Sequence, residues 1–159
     1  MRKICTVLIY HIYKFLWVMT KSRGSSIIFL NSNNEILFVL RDNNKNILYP
    51  NMWNLLGGSI ENNETPEKAI IREVKEELSL NLENPKLYKI TEFPNKTEYT
   101  YWQRINITEE ELNKSLTEGQ RVRWFSKKEL EKTKIAFNLN PLVEKFFEEW
   151  ENKFPNKYF

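Results

Sequence analysis

Residues 57–80 read GGSIENNETPEKAIIREVKEELSL, and they begin with the only adjacent pair of glycines in the chain. The second half of this stretch has the periodicity of a helix. Thr65 is a suitable N-cap, Pro66 fits the first helical position, and Glu67 places an acid in the first turn. Ile70, Val74 and Leu78 recur every four residues and predict a buried stripe. Glu73, Glu76 and Glu77 stand at i, i+3 and i+4, so the same helix stacks three carboxylates on one side. Like charges at that spacing cost roughly 0.2–0.5 kcal/mol per pair. Glu73 and Glu77 lie one residue behind Val74 and Leu78, at the border of the buried stripe. Two readings stand side by side: a solvated acidic face balanced by Lys68, Arg72 and Lys75, or a carboxylate cluster neutralised by a divalent cation.

The full pattern is Gly58, five residues, Glu64, seven residues, then Arg72-Glu73-Val74-Lys75-Glu76-Glu77. It resembles the Nudix box, G-x5-E-x7-R-E-U-x-E-E-x-G-U, where U is aliphatic. The resemblance is detailed over the box and extends in outline over about residues 19–154. One position departs: Ser79 stands where the family has glycine, followed by the aliphatic Leu80. A residue with a Cβ enters the left-handed cap only at some cost, so Ser79 implies a stability penalty with no metal-facing side chain lost. Leu56 replaces a proline common in relatives and bears only on the stiffness of the loop.

The resemblance implies an α/β (α+β) protein of the Nudix fold, an α/β/α sandwich with a mixed β-sheet. It implies hydrolysis of a phosphoanhydride in a nucleoside diphosphate linked to a group X, with Mg²⁺ as cofactor and Mn²⁺ as an alternative. Metal ligands carried over are the carbonyl of Gly58 and the carboxylates of Glu73, Glu76 and Glu77, with Glu76 and Glu77 also in catalytic roles. Arg72 would orient a neighbouring glutamate, and Glu64 would support the loop or bind a metal through water. Outside the box, Glu118 is the candidate for an additional acid, with Glu98 as the weaker choice. Trp124, Phe125 and Trp102 are candidate substrate contacts, although alternation along a strand stops Trp124 and Phe125 from facing the same cleft.

Composition narrows the alternatives. A length of 159 residues suits one domain, read here as 19–159, preceded by an apolar extension at 1–18. The net charge of +3 suits a small anionic nucleotide and gives no reason to expect DNA binding. A single cysteine, Cys5, rules out an intrachain disulfide, and a single histidine, His11, leaves little for histidine-based chemistry. The N-terminal run is short of the roughly 20 residues of a span and is interrupted by His11 and Lys14, so no stable membrane association is expected. A cytoplasmic location is the matching expectation. The remaining alternatives are a non-catalytic nucleotide- or ADP-ribose-sensing domain and an enzyme acting on RNA 5′ ends, while a homodimer stays open. Elsewhere the pattern predicts strands at 25–31, 35–41, 86–93, 97–107 and 121–126. It predicts a short acidic helix or loop at 109–116, a helical turn starting at 127–132, and an amphipathic helix at 141–154 whose apolar face carries Leu142, Phe146, Phe147 and Trp150.

Overall fold

Along the first strand, β1 (Ser22–Leu30), Ile27 and Phe29 point to one face and Ile28 and Leu30 to the other, all fully buried. A strand buried on both faces requires a layer on each side. The computed structural model describes residues 21–153 and shows those two layers. The expected extension at 1–18, with Cys5 and His11, lies outside the described residues.

The other strands are β2 (Ile36–Leu40), β3 (Trp53–Asn54), β4 (Leu56–Ser59), β5 (Lys86–Glu92), β6 (Lys96–Arg104) and β7 (Arg121–Phe125). The sheet runs β3-β2-β1-β6-β5, with β4 added to β1 and β7 to β2. β1 and β6 are parallel and the other pairs antiparallel, which makes the sheet mixed. On one face lie α1 (Pro66–Leu78) and α2 (Glu109–Ser115), which bury Ile70, Val74, Leu78 and Leu112 against Ile27, Phe29, Leu37 and Val39. On the other, α3 (Lys127–Leu130) and α4 (Asn140–Lys153) bury Leu130, Val143, Phe146 and Phe147 against Ile28, Leu30, Ile36 and Phe38. The molecule is the α+β sandwich that the sequence implied.

The acid-bearing helix is α1. Thr65 Oγ1 accepts the Lys68 N–H at 3.2 Å, and Pro66 opens the first turn. Burial of Ile70, Val74 and Leu78 is worth roughly 1.5–3 kcal/mol each, which outweighs carboxylate repulsion of tenths of a kcal/mol. Ser79 takes the left-handed conformation itself (φ 54°, ψ 23°), and its N–H caps Lys75 O at 3.0 Å. The helix therefore ends as it would with glycine, at the cost of a Cβ in a disfavoured region. The short strands β3 and β4 escape the sequence reading because two and four residues carry no periodicity. In α4, Val143 joins Phe146 and Phe147 in the buried face, with Leu142 and Trp150 at its edge.

Candidate active site

β4 pairs with β1 through Gly24↔Ser59, Ser25↔Gly58, Ser26↔Gly57 and Ile27↔Leu56. Gly57 has φ +130°, and a Cβ there would stand 2.2 Å from Ser25 O, so only glycine fits. A Cβ on Gly58 would stand 2.4 Å from a carboxylate oxygen of Glu73. The acid on α1 thus packs directly onto the loop backbone. One turn further along, Glu77 accepts the Gly57 N–H at 3.2 Å.

Arg72 binds this assembly together. Its Nε and Nη2 hold both oxygens of Glu64 at 3.0 Å each, a bidentate pair. Nη1 reaches Glu73 at 2.8 Å and Glu76 at 3.1 Å, while Nη2 also donates to Ser59 O at 3.1 Å. The guanidinium hydrogen bonds hold Glu64 below the usual carboxylate range. Glu73 is shifted upward despite the same arginine, because burial of its carboxyl outweighs the pairing. Burial pushes Glu77 up to about 8, with the charges of Glu118 and Glu73 adding to the effect. At both acids burial outweighs the donors and the positive charge nearby, Arg72 at Glu73 and the Gly57 N–H and Arg41 at Glu77.

Glu118 is brought here by its neighbour. The Thr117 N–H donates to Glu77 O at 2.9 Å, and the Thr117 hydroxyl donates to Glu76 O. These bonds occupy carbonyls that the end of α1 leaves free and tie the 116–119 segment to the helix. Glu77 and Glu118 then line one small cavity with Arg41, Asp42, Asn54 and Gly57. Arg41, Asn54 and Gly57 also line a larger cleft of about 350 Å³, which is walled by Phe93, Lys96, Glu98 and Phe137 and reaches Gly58. The acidic site and the cleft are adjoining chambers.

A family model for the NUDIX domain matches residues 20–146. The chain belongs to the Nudix family. Members of this family generally hydrolyse pyrophosphate bonds and typically use divalent metals. Among solved structures, a MutT/Nudix family protein from Listeria innocua superposes with a TM-score of 0.68 at 18% identity, covering 83% of this chain and 95% of that one. MutT from Aliivibrio salmonicida and Vibrio cholerae gives 0.64 at 19%, covering 81% and 98%. The NUDIX domain of NrtR from Shewanella oneidensis, solved with ADP ribose, gives 0.67 at 15%, covering 82% and 88%. At these identities the likeness is one of fold.

Within this Nudix domain Glu73 packs on Gly58, Glu77 and Glu118 line the small cavity, and Arg72 grips both Glu64 and Glu73. Glu76 is the outlying member of the acid set, its side chain 61% exposed and engaged by Arg72. Among the described residues no three acidic side chains converge at metal-ligand spacing. The donors nevertheless suit a hard divalent ion, being carboxylate oxygens at a backbone approach that only a glycine permits. Glu98 lies in the larger chamber, paired with Lys96 at 2.7 Å.

The three aromatic candidates are placed differently from the expectation. Trp124 is buried in the α1-side core with its Nε1 donating to Ile107 O at 3.2 Å. Phe125 is buried on the opposite face against Phe38 and Trp53. Trp102 packs against Trp150 and Phe146 of α4. None of them lines the cleft, because alternation along β6 and β7 delivers these rings to the two cores. The rings at the cleft are Phe93 and Phe137, from a turn and a loop that carry no periodic signal. Thr117, Arg41 and Asn54 were likewise not identified from sequence, and only Thr117, beside Glu118, had a neighbour that could have pointed to it. Among the described residues, no helix is long and apolar enough to cross a membrane.

Proposed function

We propose that this chain is a Mg²⁺-dependent pyrophosphohydrolase acting on a nucleoside diphosphate linked to a further group X, and releasing a nucleoside monophosphate and phospho-X. The observation that carries this reading is the join between the chambers: the cavity of Glu77 and Glu118 shares Arg41, Asn54 and Gly57 with the larger cleft. A substrate lying across the join would present its anhydride to the acids and the remainder of the molecule to the cleft. Glu73, Glu77 and the Gly58 carbonyl would hold the cation, with Glu76 available from the exposed side. When bound, the cation supplies charge neutralisation for the diphosphate oxygens. Arg72 fixes the orientation of Glu73 through its 2.8 Å bond. A carboxylate oxygen of Glu118, exposed and without a hydrogen bond among the described residues, would take the proton of the attacking water. Mn²⁺ suits the same donors.

The test is a panel of ordinary and oxidised nucleoside triphosphates, dinucleoside polyphosphates, nucleotide sugars, ADP-ribose and 5′-triphosphorylated RNA, assayed with Mg²⁺ and with products separated by chromatography. Cleavage of one class to a nucleoside monophosphate, abolished by EDTA, is the expected result. Tight binding of a panel member without turnover would make the chain a nucleotide-sensing domain instead. ADP-ribose is included because the NrtR domain, similar in fold, was solved with that ligand.

A further inference from the structure

Residues 117–120 connect α2 to β7 without regular structure, and they carry Glu118 past the end of α1. On one side of Glu118 the chain is fastened by Thr117, which binds the last carbonyls of that helix. On the other side it turns at Gly119 (φ +89°), where a Cβ would stand 2.6 Å from Val39 Cγ2 and 3.0 Å from Leu40 O. The Gln120 N–H then donates to Leu40 O at 2.8 Å, which ties the backbone to β2. The Gln120 side chain reaches further. Its Nε2 donates to Arg41 O and to Asn51 Oδ1, each at 2.7 Å, so both hydrogens of the amide nitrogen are used. These two acceptors stand at the two ends of the 42–51 loop. The base of that loop is closed by the Arg41 N–H to Met52 O at 3.0 Å and the Asn51 N–H to Asp42 O at 3.3 Å. The loop contributes Asp42 and Ile47 to the cavity that Glu77 and Glu118 line.

An exposed glutamine needs no protein partner, because water satisfies its amide. Here a single amide joins three segments of the acidic chamber: the end of β2, the 42–51 loop and residues 117–120. Resting on the hydrolase reading above, we infer that Gln120 is a positioning residue that fixes Glu118 and the 42–51 loop as one wall of that chamber. A general base must hold its oxygen within hydrogen-bond reach of the water, and a misplacement of about 1 Å can cost about 100-fold in rate. The Glu118 carboxylate makes no hydrogen bond among the described residues, so its placement is inherited from the backbone. Thr117 anchors that backbone on one side only, and Gly119 follows as a hinge. The bonds of Gln120, on the far side of the glycine, close the hinge. Gln120 thus acts through Glu118, without touching the reacting atoms.

The experiment compares the full chain with Gln120→Met, which keeps the length of an exposed side chain and removes both donors. Turnover is measured in Mg²⁺ with the panel nucleotide that the parent cleaves fastest. Gln120→Met should lower kcat roughly fivefold, the effect of about one modest hydrogen bond, and leave KM within about twofold. That loss should disappear in a Glu118→Gln background. Hydrogen–deuterium exchange, read by mass spectrometry with no nucleotide present, should quicken in Gln120→Met at both 42–51 and 117–120. Over Pro66–Leu78 it should match the parent. Losses additive with Glu118→Gln overturn the inference, as does an effect on KM alone, or unchanged exchange in either segment. A parent that turns over no panel member would sink the hydrolase reading instead. The exchange rates would then decide by themselves whether Gln120 holds the wall.

Discussion

The acidic chamber and the aromatic cleft meet at Arg41, Asn54 and Gly57, but they are assembled by opposite means. The box acids come from one continuous segment, where a glycine pair, a capped helix and Arg72 hold them within a few turns of one another, and Glu118 alone among the candidate acids joins them from the distant 116–119 segment. The cleft is drawn from β1, the β2 end, β4, the β5–β6 turn and the 136–139 loop, parts separated by more than a hundred residues in sequence. Over-determination distinguishes the two. Arg72 contacts three carboxylates and a backbone carbonyl, so removal of one partner leaves the others in place. Phe93 and Phe137 depend on how distant loops settle. On the proposed reading, the chemistry would be carried by a local, cross-braced unit and selectivity by loops that can change without disturbing it.

This contrast can be broken experimentally. The largest effect is expected at Glu77, where Glu77→Gln should lower kcat at saturating Mg²⁺ by at least ~100-fold. Its melting temperature in EDTA should equal or exceed that of the parent, since a desolvated carboxylate is replaced by a neutral amide. Comparable turnover would remove Glu77 from the site. Next, Trp124→Leu should cost about 2–3 kcal/mol in urea unfolding while KM stays within twofold, because the ring is core and not substrate contact. A raised KM at unchanged stability would return Trp124 to the cleft.

Smaller effects sharpen the picture. Thr117→Val deletes the hydroxyl bond to Glu76 O and should cost about 1 kcal/mol of stability. It should also slow turnover through the loosened Glu118, and that kinetic loss should vanish in a Glu118→Gln background. Additive losses would show that Thr117 and Glu118 act independently. Smallest of all, Ser79→Gly should stabilise the protein by up to about 1 kcal/mol without changing kcat, by relieving the left-handed Cβ. A fall in stability would mean that the serine is favoured there for a reason other than the cap.

The box helix could be read residue by residue because its signals are local. Thr65, Pro66, the Ile70-Val74-Leu78 stripe and the Glu73/Glu77 pair all lie within one helical segment, where spacing alone dictates which side chains share a face. Strand alternation also told in advance that Trp124 and Phe125 must diverge. It could not tell which partners each ring would meet, because those belong to α2, α3 and α4. Glu118 could be proposed only from its position before β7, and its placement depends on Thr117 reaching the end of α1, 40 residues earlier in the chain.

By itself the amino-acid order determined the acid-bearing helix with its caps and the longer strands, which follow from short-range periodicity and turn chemistry, while the family and its two-sided sheet were implied by the resemblance of residues 58–80 to the Nudix box. The tertiary structure alone decided the burial that raises Glu77, the approach of Glu118, and the identity of the rings at the cleft. Desolvation and through-space charge depend on what packs around a group, and that packing brings together residues whose separation along the chain carries no record of it.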